Sequence, residues 1–331
     1  MASKSELDTD KLLSLAEGCR RVLVRLPDGL LHHAPAISDA LRAAGVEAII
    51  SADACYGACD WSGSHANVDR IIYIGEAPMP SLEGCYPAPA VFLPVPAPHD
   101  VTPAIEEALP LLSGSVVGVV TIAPYIDQLG AAVERLEEAG FTMIVGEKSR
   151  RVAYDGQILG CDLTAGSSIA SRVDCFLYIG DGMFHPLGLA LTTEKPVVVA
   201  NPAERRALRQ ELTEERDALL KRRYAQIARA EAGHRVGIII GTKLGQRRAE
   251  LAERLKEMAE QHGYRAAMVT VDVLQPERLD HLGMDFYVST ACPRVAIDDA
   301  ARFRQPLLTP IEFEILVGER DWSEYEFDQI V

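Results

Sequence analysis

Three cysteines, Cys59, Cys161 and Cys292, fall one in each third of a chain of 331 residues. Cys59 stands in CYGACD and Cys161 in LGCD, each directly before an aspartate, whereas Cys292 stands in STACPR. Thiolates are soft ligands, and three of them arriving from separate parts of a chain, with no fourth of matching context, leave one position open on a bound metal cluster. An open position implies chemistry rather than scaffolding. A structural zinc site takes four ligands, often in close Cys-x-x-Cys pairs, and the sequence contains no such pair. A cubane cluster held by three thiolates fits better, with its fourth iron free. The other cysteines differ in context. Cys175 alternates inside a strand-like run, and it, Cys19 and Cys85 read as buried small apolar side chains, the usual fate of a free thiol. Cys55, four residues before Cys59, is an alternative ligand if that loop forms a helical turn.

The elements that must position these residues recur three times. The first copy runs from RVLVRL at 21–26 through a helix with Ile37, Leu41 and Ala44 on one face to Gly45 and extended VEAII. The second runs from VVGVVTI at 116–122 through a helix with Leu129, Val133 and Leu136 inward to Gly140 and FTMIV. The third runs from RVGIII at 235–240 through a helix with Leu251, Leu255 and Met258 inward to Gly263 and RAAMVTV. The offsets i, i+4, i+7 mark one helical face, and the terminal glycine supplies the left-handed residue that ends a helix. VDRIIYIGE at 68–76 then matches VDCFLYIGD at 173–181, with MDFYVST at 284–290 as their counterpart. AVFLPV, PVVVA and PLLT close the copies. Near-continuous Val/Ile/Leu runs alternating with helices predict parallel sheets covered on both faces. The expected fold is α/β, three repeated Rossmann-like domains around a central site, divided 1–98, 99–203 and 204–331. PVPAP at 94–98 reads as the first linker. The charge-rich segment 204–235 reads as one long helix, either a solvated connector or a docking surface for an acidic partner or second subunit.

All three cysteines map to the carboxyl ends of parallel strands, the edge at which open α/β sheets bind ligands. A formal charge of −15 argues against a broad nucleic-acid surface, which concentrates Lys and Arg. The polar opening MASKSELDTD is no signal peptide, and no apolar run approaches the roughly 18 to 20 residues of a membrane span. A cytoplasmic protein is expected. Seven cysteines, an odd number, favour reduced thiols or metal ligation over a disulfide framework. No Gly-x-Gly-x-x-Gly follows a first strand, which counts against a nicotinamide-dependent oxidoreductase.

LPDGL at 26–30, YGACD at 56–60, GCD at 160–162, YIGDGMFHPLG at 178–188, KLGQRR at 243–248, ACPRVAIDD at 291–299 and PLLTPIEFEI at 306–315 occur in one order. With that ordered set the chain resembles the archaeal diphthamide biosynthesis enzymes over almost its whole length. The resemblance implies a [4Fe–4S] cluster held by one cysteine per domain, here Cys59, Cys161 and Cys292. It also implies noncanonical radical chemistry with S-adenosylmethionine, without the clustered Cys-x-x-x-Cys-x-x-Cys loop of ordinary radical enzymes of this cofactor. One electron breaks the bond from sulfur to the methionine γ-carbon, and the 3-amino-3-carboxypropyl radical adds to C2 of a histidine on translation elongation factor 2. An electron donor and a homodimer belong to the same expectation, and neither nucleic acid nor membrane does.

Candidates for polar contacts to the cofactor follow from the same motifs. Asp28 and Gly29 end the first strand and either reach the cofactor or merely form a strand-to-helix turn. Asp181, Gly182 and His185 lie in the second copy, where His185 is a cofactor contact or a packed structural histidine. Lys243, Gly245 and Gln246 lie at the matching strand end of the third. Arg294, beside Cys292, would tune the cluster or grip a carboxylate. The competing readings are a quinolinate synthase-like enzyme, whose open iron acts as a Lewis acid, and a non-catalytic iron–sulfur sensor or partner subunit.

Overall fold

The computed structural model describes residues 7–61 and 67–330, so part of the polar opening segment lies outside the described residues. Thirteen strands among these residues form three sheets. The first contains β1 (Arg21–Arg25), β2 (Glu47–Ile50), β3 (Arg70–Ile74) and β4 (Ala90–Leu93), in the order β2-β1-β3-β4. The second contains β5 (Val116–Thr121), β6 (Thr142–Val145), β7 (Cys175–Ile179), β8 (Val197–Asn201) and β9 (Arg206–Leu208), in the order β6-β5-β7-β8-β9. The third contains β10 (Arg235–Gly241), β11 (Arg265–Val271), β12 (Phe286–Ser289) and β13 (Leu307–Leu308), in the order β11-β10-β12-β13. Strands pair in parallel throughout except β8 with β9. In every sheet the chain leaves its first strand to one side and returns on the other, so a switch point opens at the carboxyl ends of β1 and β3 and of their equivalents.

The repeated Val-Asp or Met-Asp pair has a structural cause. Asp69 accepts the amides of Arg20 and Arg21 at 2.7 and 2.9 Å. Asp174 accepts those of Ser115 and Val116 at 2.8 and 2.9 Å, and Asp285 those of His234 and Arg235 at 2.9 Å each. Each carboxylate caps the start of its sheet's first strand from the start of its third strand. Gly45, Gly140 and Gly263 end the three helices with φ of +79°, +92° and +85°, where a side chain would be strained. The inward faces are centred on Ile37 and Leu41, on Ala132 and Leu136, and on Ala252, Leu255 and Ala259. Ala44 falls outside this stripe and is exposed, because it is the C-terminal cap of the helix Ala34–Ala43.

The segment 204–235 departs from the expected single helix. Asn201 and Pro202 turn the chain, Arg205 takes a left-handed φ of 53°, and β9 runs back along β8 before the helix Gln210–Ala230 begins. Nor is that helix only a solvated connector. Leu212 and Leu219 join the second sheet's core, and Ile227 and Ala230 join the third's. Between them Arg223, 1% exposed, meets Glu312 through Nε at 2.7 Å and Nη2 at 2.5 Å and donates to the carbonyls of Ala296 and Leu307. Glu312 also closes the capping box of the helix Pro310–Leu316 with Thr309. The helix therefore fixes the second sheet against the third. Among the described residues no helix is long and apolar enough to cross a membrane.

Candidate metal centre

Cys59 lies in the loop between β2 and β3. Its neighbour Asp60, 1% exposed, accepts the Tyr56 amide at 3.1 Å and pairs with Lys243 from the third unit. Arg25, the last residue of β1, donates to the carbonyls of Ala54 and Asp60 at 3.2 and 3.0 Å, and the Tyr86 hydroxyl donates to Ala58. Cys161 lies in a tight turn in which Leu159 and Asp162 exchange backbone hydrogen bonds. Asp162 accepts the Thr164 amide and the Ser149 hydroxyl. The aspartate after each of these two cysteines therefore locks the loop that presents the sulfur. Cys292 lies three residues beyond the end of β12 and opens the helix Pro293–Asp298, with Pro293 at the first helical position, where its missing N–H costs nothing.

One loop, 242–248 after β10, reaches all three cysteine segments. The Leu244 amide donates to Trp61 O at 2.7 Å and the Gly245 amide to Cys59 O at 3.0 Å. The Gln246 side-chain amide stands 3.6 Å from Cys59 Sγ. Gly245 O accepts from Arg151 Nη2 at 3.0 Å, and the same nitrogen stands 3.6 Å from Cys161 Sγ. Arg248 donates to Thr290 O and Ala291 O, next to Cys292, and grips both oxygens of Asp328 at 2.7 Å. The tail then returns to the second unit: the Ile330 amide donates to Cys161 O at 2.7 Å, and Gln329 accepts the Leu163 amide. Carboxyl edges of three sheets thus meet around three sulfurs.

The sulfurs also interact with one another. Cys59 is pushed up to about 12, first by burial and then by the charge of Cys161, against the help of the Gln246 hydrogen bond. Cys292 rises to about 11 through burial and then Cys161. Cys161 rises through burial, opposed by Arg151. Three thiols buried together ionise together only against a strong positive charge, of the kind a metal core would supply. Among the described residues no three His, Cys, Asp or Glu side chains close around a single metal ion. The all-sulfur donor set suits iron–sulfur.

The remaining expected residues divide. Lys243, Gly245 and Gln246 lie in the central loop, with Lys243 on Asp60 and Gln246 on Cys59. Asp181, Gly182 and His185 line a cleft of about 670 Å³ with Phe184, Arg206 and Arg294. His185 stacks on Tyr178, and burial, followed by the charge of Arg294, lowers it to about 4, so it is neutral near pH 7. Arg294 bonds Asp298 at 2.8 Å and lies over the Phe184 ring. Asp28 and Gly29 open the 3₁₀ turn Asp28–His33 and are exposed. No hydrogen bond among the described residues ties them to the cysteine loops. Cys55 packs with Leu23, Trp61 and Tyr73, and Cys175 is fully buried. Cys85 is exposed and Cys19 half-buried, contrary to the buried reading, because both sit in turns rather than in strands.

Arg151, Arg248 and Glu76 were not apparent from the sequence. SRR at 149–151 looks like an ordinary basic surface run, and only the fold turns it inward. Glu76 follows β3, has its carboxyl beside Gly57, and is pushed up to about 7 by burial and then by Asp60.

The family model for diphthamide synthesis proteins matches residues 26–327. The chain belongs to the diphthamide synthesis family. The 2-(3-amino-3-carboxypropyl)histidine synthase of Pyrococcus horikoshii is 35% identical over 95% of this chain and 90% of its own. Subunit 1 of the mouse synthase is 26% identical over 92% of this chain and 70% of its own. The crystal structure of Dph2 from Pyrococcus horikoshii with a 4Fe-4S cluster superposes with a TM-score of 0.90 at 32% identity, covering 100% of this chain and 95% of that one. The diphthamide synthesis family thus accounts for both the ordered motifs and the three-sheet architecture.

Proposed function

We propose that this protein is a 2-(3-amino-3-carboxypropyl)histidine synthase, transferring the 3-amino-3-carboxypropyl group of S-adenosylmethionine to C2 of a histidine on translation elongation factor 2, the first step of diphthamide biosynthesis. The observation that carries this reading is the meeting of Cys59, Cys161 and Cys292, one from each sheet, around the loop 242–248. In this reading the units 1–98, 99–203 and 204–331 each provide one thiolate to a [4Fe–4S] cluster. When bound, the cluster with its open iron supplies one-electron reduction of the sulfonium, the chemistry of a noncanonical radical S-adenosylmethionine enzyme.

The chain's own residues hold and select. Asp60 and Asp162 fix the loops that present two of the ligands, and Arg248 fixes the strand end that presents the third. The cleft beside Arg294 offers Asp181 and neutral His185 to a cofactor bearing both ammonium and carboxylate groups, with Met183 and Phe184 as apolar surface for its adenosine. Asp28 and Gly29, which follow β1 at the carboxyl edge of the first sheet, are further candidate contacts. A cytoplasmic homodimer served by an external electron donor completes the reading.

The test is anaerobic reconstitution of the full chain with iron and sulfide, followed by reduction and addition of S-adenosylmethionine and elongation factor 2. Methylthioadenosine and an elongation factor heavier by one aminocarboxypropyl group are expected. A loaded cluster without methylthioadenosine would leave a sensor or a dehydratase-type site instead.

A further inference from the structure

Among the described residues two of the three cysteine sulfurs face a side-chain N–H donor, and the two donors differ in charge. Gln246 Nε2, a neutral amide, stands 3.6 Å from Cys59 Sγ. Arg151 Nη2, part of a guanidinium, stands 3.6 Å from Cys161 Sγ. Arg151 is 8% exposed and makes no ion pair with a carboxylate among the described residues, and its Nε is buried without a hydrogen-bond partner. A cation held this far from water needs a negative counterpart. Its hydrogen-bond partners are the Gly245 carbonyl at 3.0 Å and the Cys161 sulfur, and of the two only the sulfur can carry a full negative charge.

We infer that Arg151 and Gln246 are positioning residues that set the reduction potential of the cluster, Arg151 through Cys161 and Gln246 through Cys59. The inference rests on the ligand assignment of the proposed function and deepens it. A hydrogen bond to a ligand sulfur stabilises the more negatively charged, reduced state, so each donor makes reduction easier. The cationic donor does so more strongly than the neutral one. Arg151 also holds Gly245, whose amide bonds Cys59 O, so one guanidinium links two of the three cysteine segments.

The full chain and its variants Arg151→Met, Arg151→Lys and Gln246→Leu are reconstituted anaerobically. Iron and sulfide contents are measured, and the cluster is titrated against mediators with electron paramagnetic resonance as the readout. Arg151→Met should carry a full cluster whose midpoint potential is more negative than that of the parent. Arg151→Lys should fall between them, and Gln246→Leu should shift in the same direction by less. Loaded Arg151→Met and Gln246→Leu proteins that titrate with the parent, or shift to less negative potential, overturn the inference. If Arg151→Met does not load, Arg151→Lys and Gln246→Leu decide by the same criterion. A parent chain that takes up no cluster overturns the proposed function as well, whereas an unmoved potential in loaded variants overturns this inference alone.

Discussion

Gly245 and Cys59 are packed backbone against backbone. The glycine amide donates to the cysteine carbonyl at 3.0 Å, and a Cβ at position 245 would lie 2.5 Å from Cys59 Cβ and 2.6 Å from its Cα. The central loop can therefore carry a side chain at 245 only by moving the first ligand candidate. Gly245→Ala should cost about 1–3 kcal/mol, the usual penalty of overpacking, and should lower iron uptake on reconstitution. Urea unfolding and iron analysis read both, and a variant matching the parent in both would show that the contact has slack.

Replacing any of Cys59, Cys161 or Cys292 by Ser should abolish cluster loading or turnover, since a hydroxyl is a poor substitute for a soft thiolate. Cys85→Ser and Cys19→Ser should leave the visible absorption of the reconstituted protein unchanged, because Cys85 is exposed and Cys19 lies in a turn. Loss of the cluster on replacing Cys85 while Cys161→Ser retains it would reverse the ligand assignment.

Arg223 and Glu312 form a buried pair with side chains 1% and 0% exposed. Arg223→Met alone leaves a carboxylate buried and unpaired and should cost about 3–5 kcal/mol. Combining it with Glu312→Leu should recover a large part of that loss. A double-mutant cycle in denaturant measures the coupling, and additive losses would mean that the two side chains act independently.

Asp69, Asp174 and Asp285 are each held below the usual carboxylate range. Asp69 and Asp174 owe this chiefly to the backbone amides they accept, and Asp285 to the Arg235 side chain and then to its amides. A carboxylate with a lowered folded pKa stabilises fully above its unfolded value, here about 4, and loses that contribution as pH falls through the folded values. The clasps should thus be intact at neutral pH and weaken below about pH 4. Asp174→Ala should lower the melting temperature at pH 7 and flatten the dependence of stability on pH in the acid limb. Parallel melting curves of parent and variant from pH 7 to pH 3 check this, and an equal acid slope in both would remove the clasp from the account.

The sequence alone determined the repeat and its elements. Val/Ile/Leu runs and glycine stops are local signals, set by strand burial and backbone sterics; the Asp before the third strand of each sheet shows in the sequence only as a recurrence, because the amides it accepts belong to the first strand of that sheet. The same locality made the contexts of Cys59 and Cys161 legible, because Asp60 and Asp162 sit beside the sulfurs whose loops they fix. It did not reveal the turn at Asn201–Leu208, where a left-handed Arg205 and a returning β9 interrupt a charge pattern that suits a helix equally well. What only the tertiary structure decided is which distant groups face the sulfurs. Arg151 looks like an ordinary surface cation, and Arg248, although it ends the KLGQRR motif, carries no local mark of its contact with the Cys292 segment. They turn inward because the carboxyl edges of three sheets meet there, and burial among thiols and carbonyls is a property of that meeting rather than of any one segment.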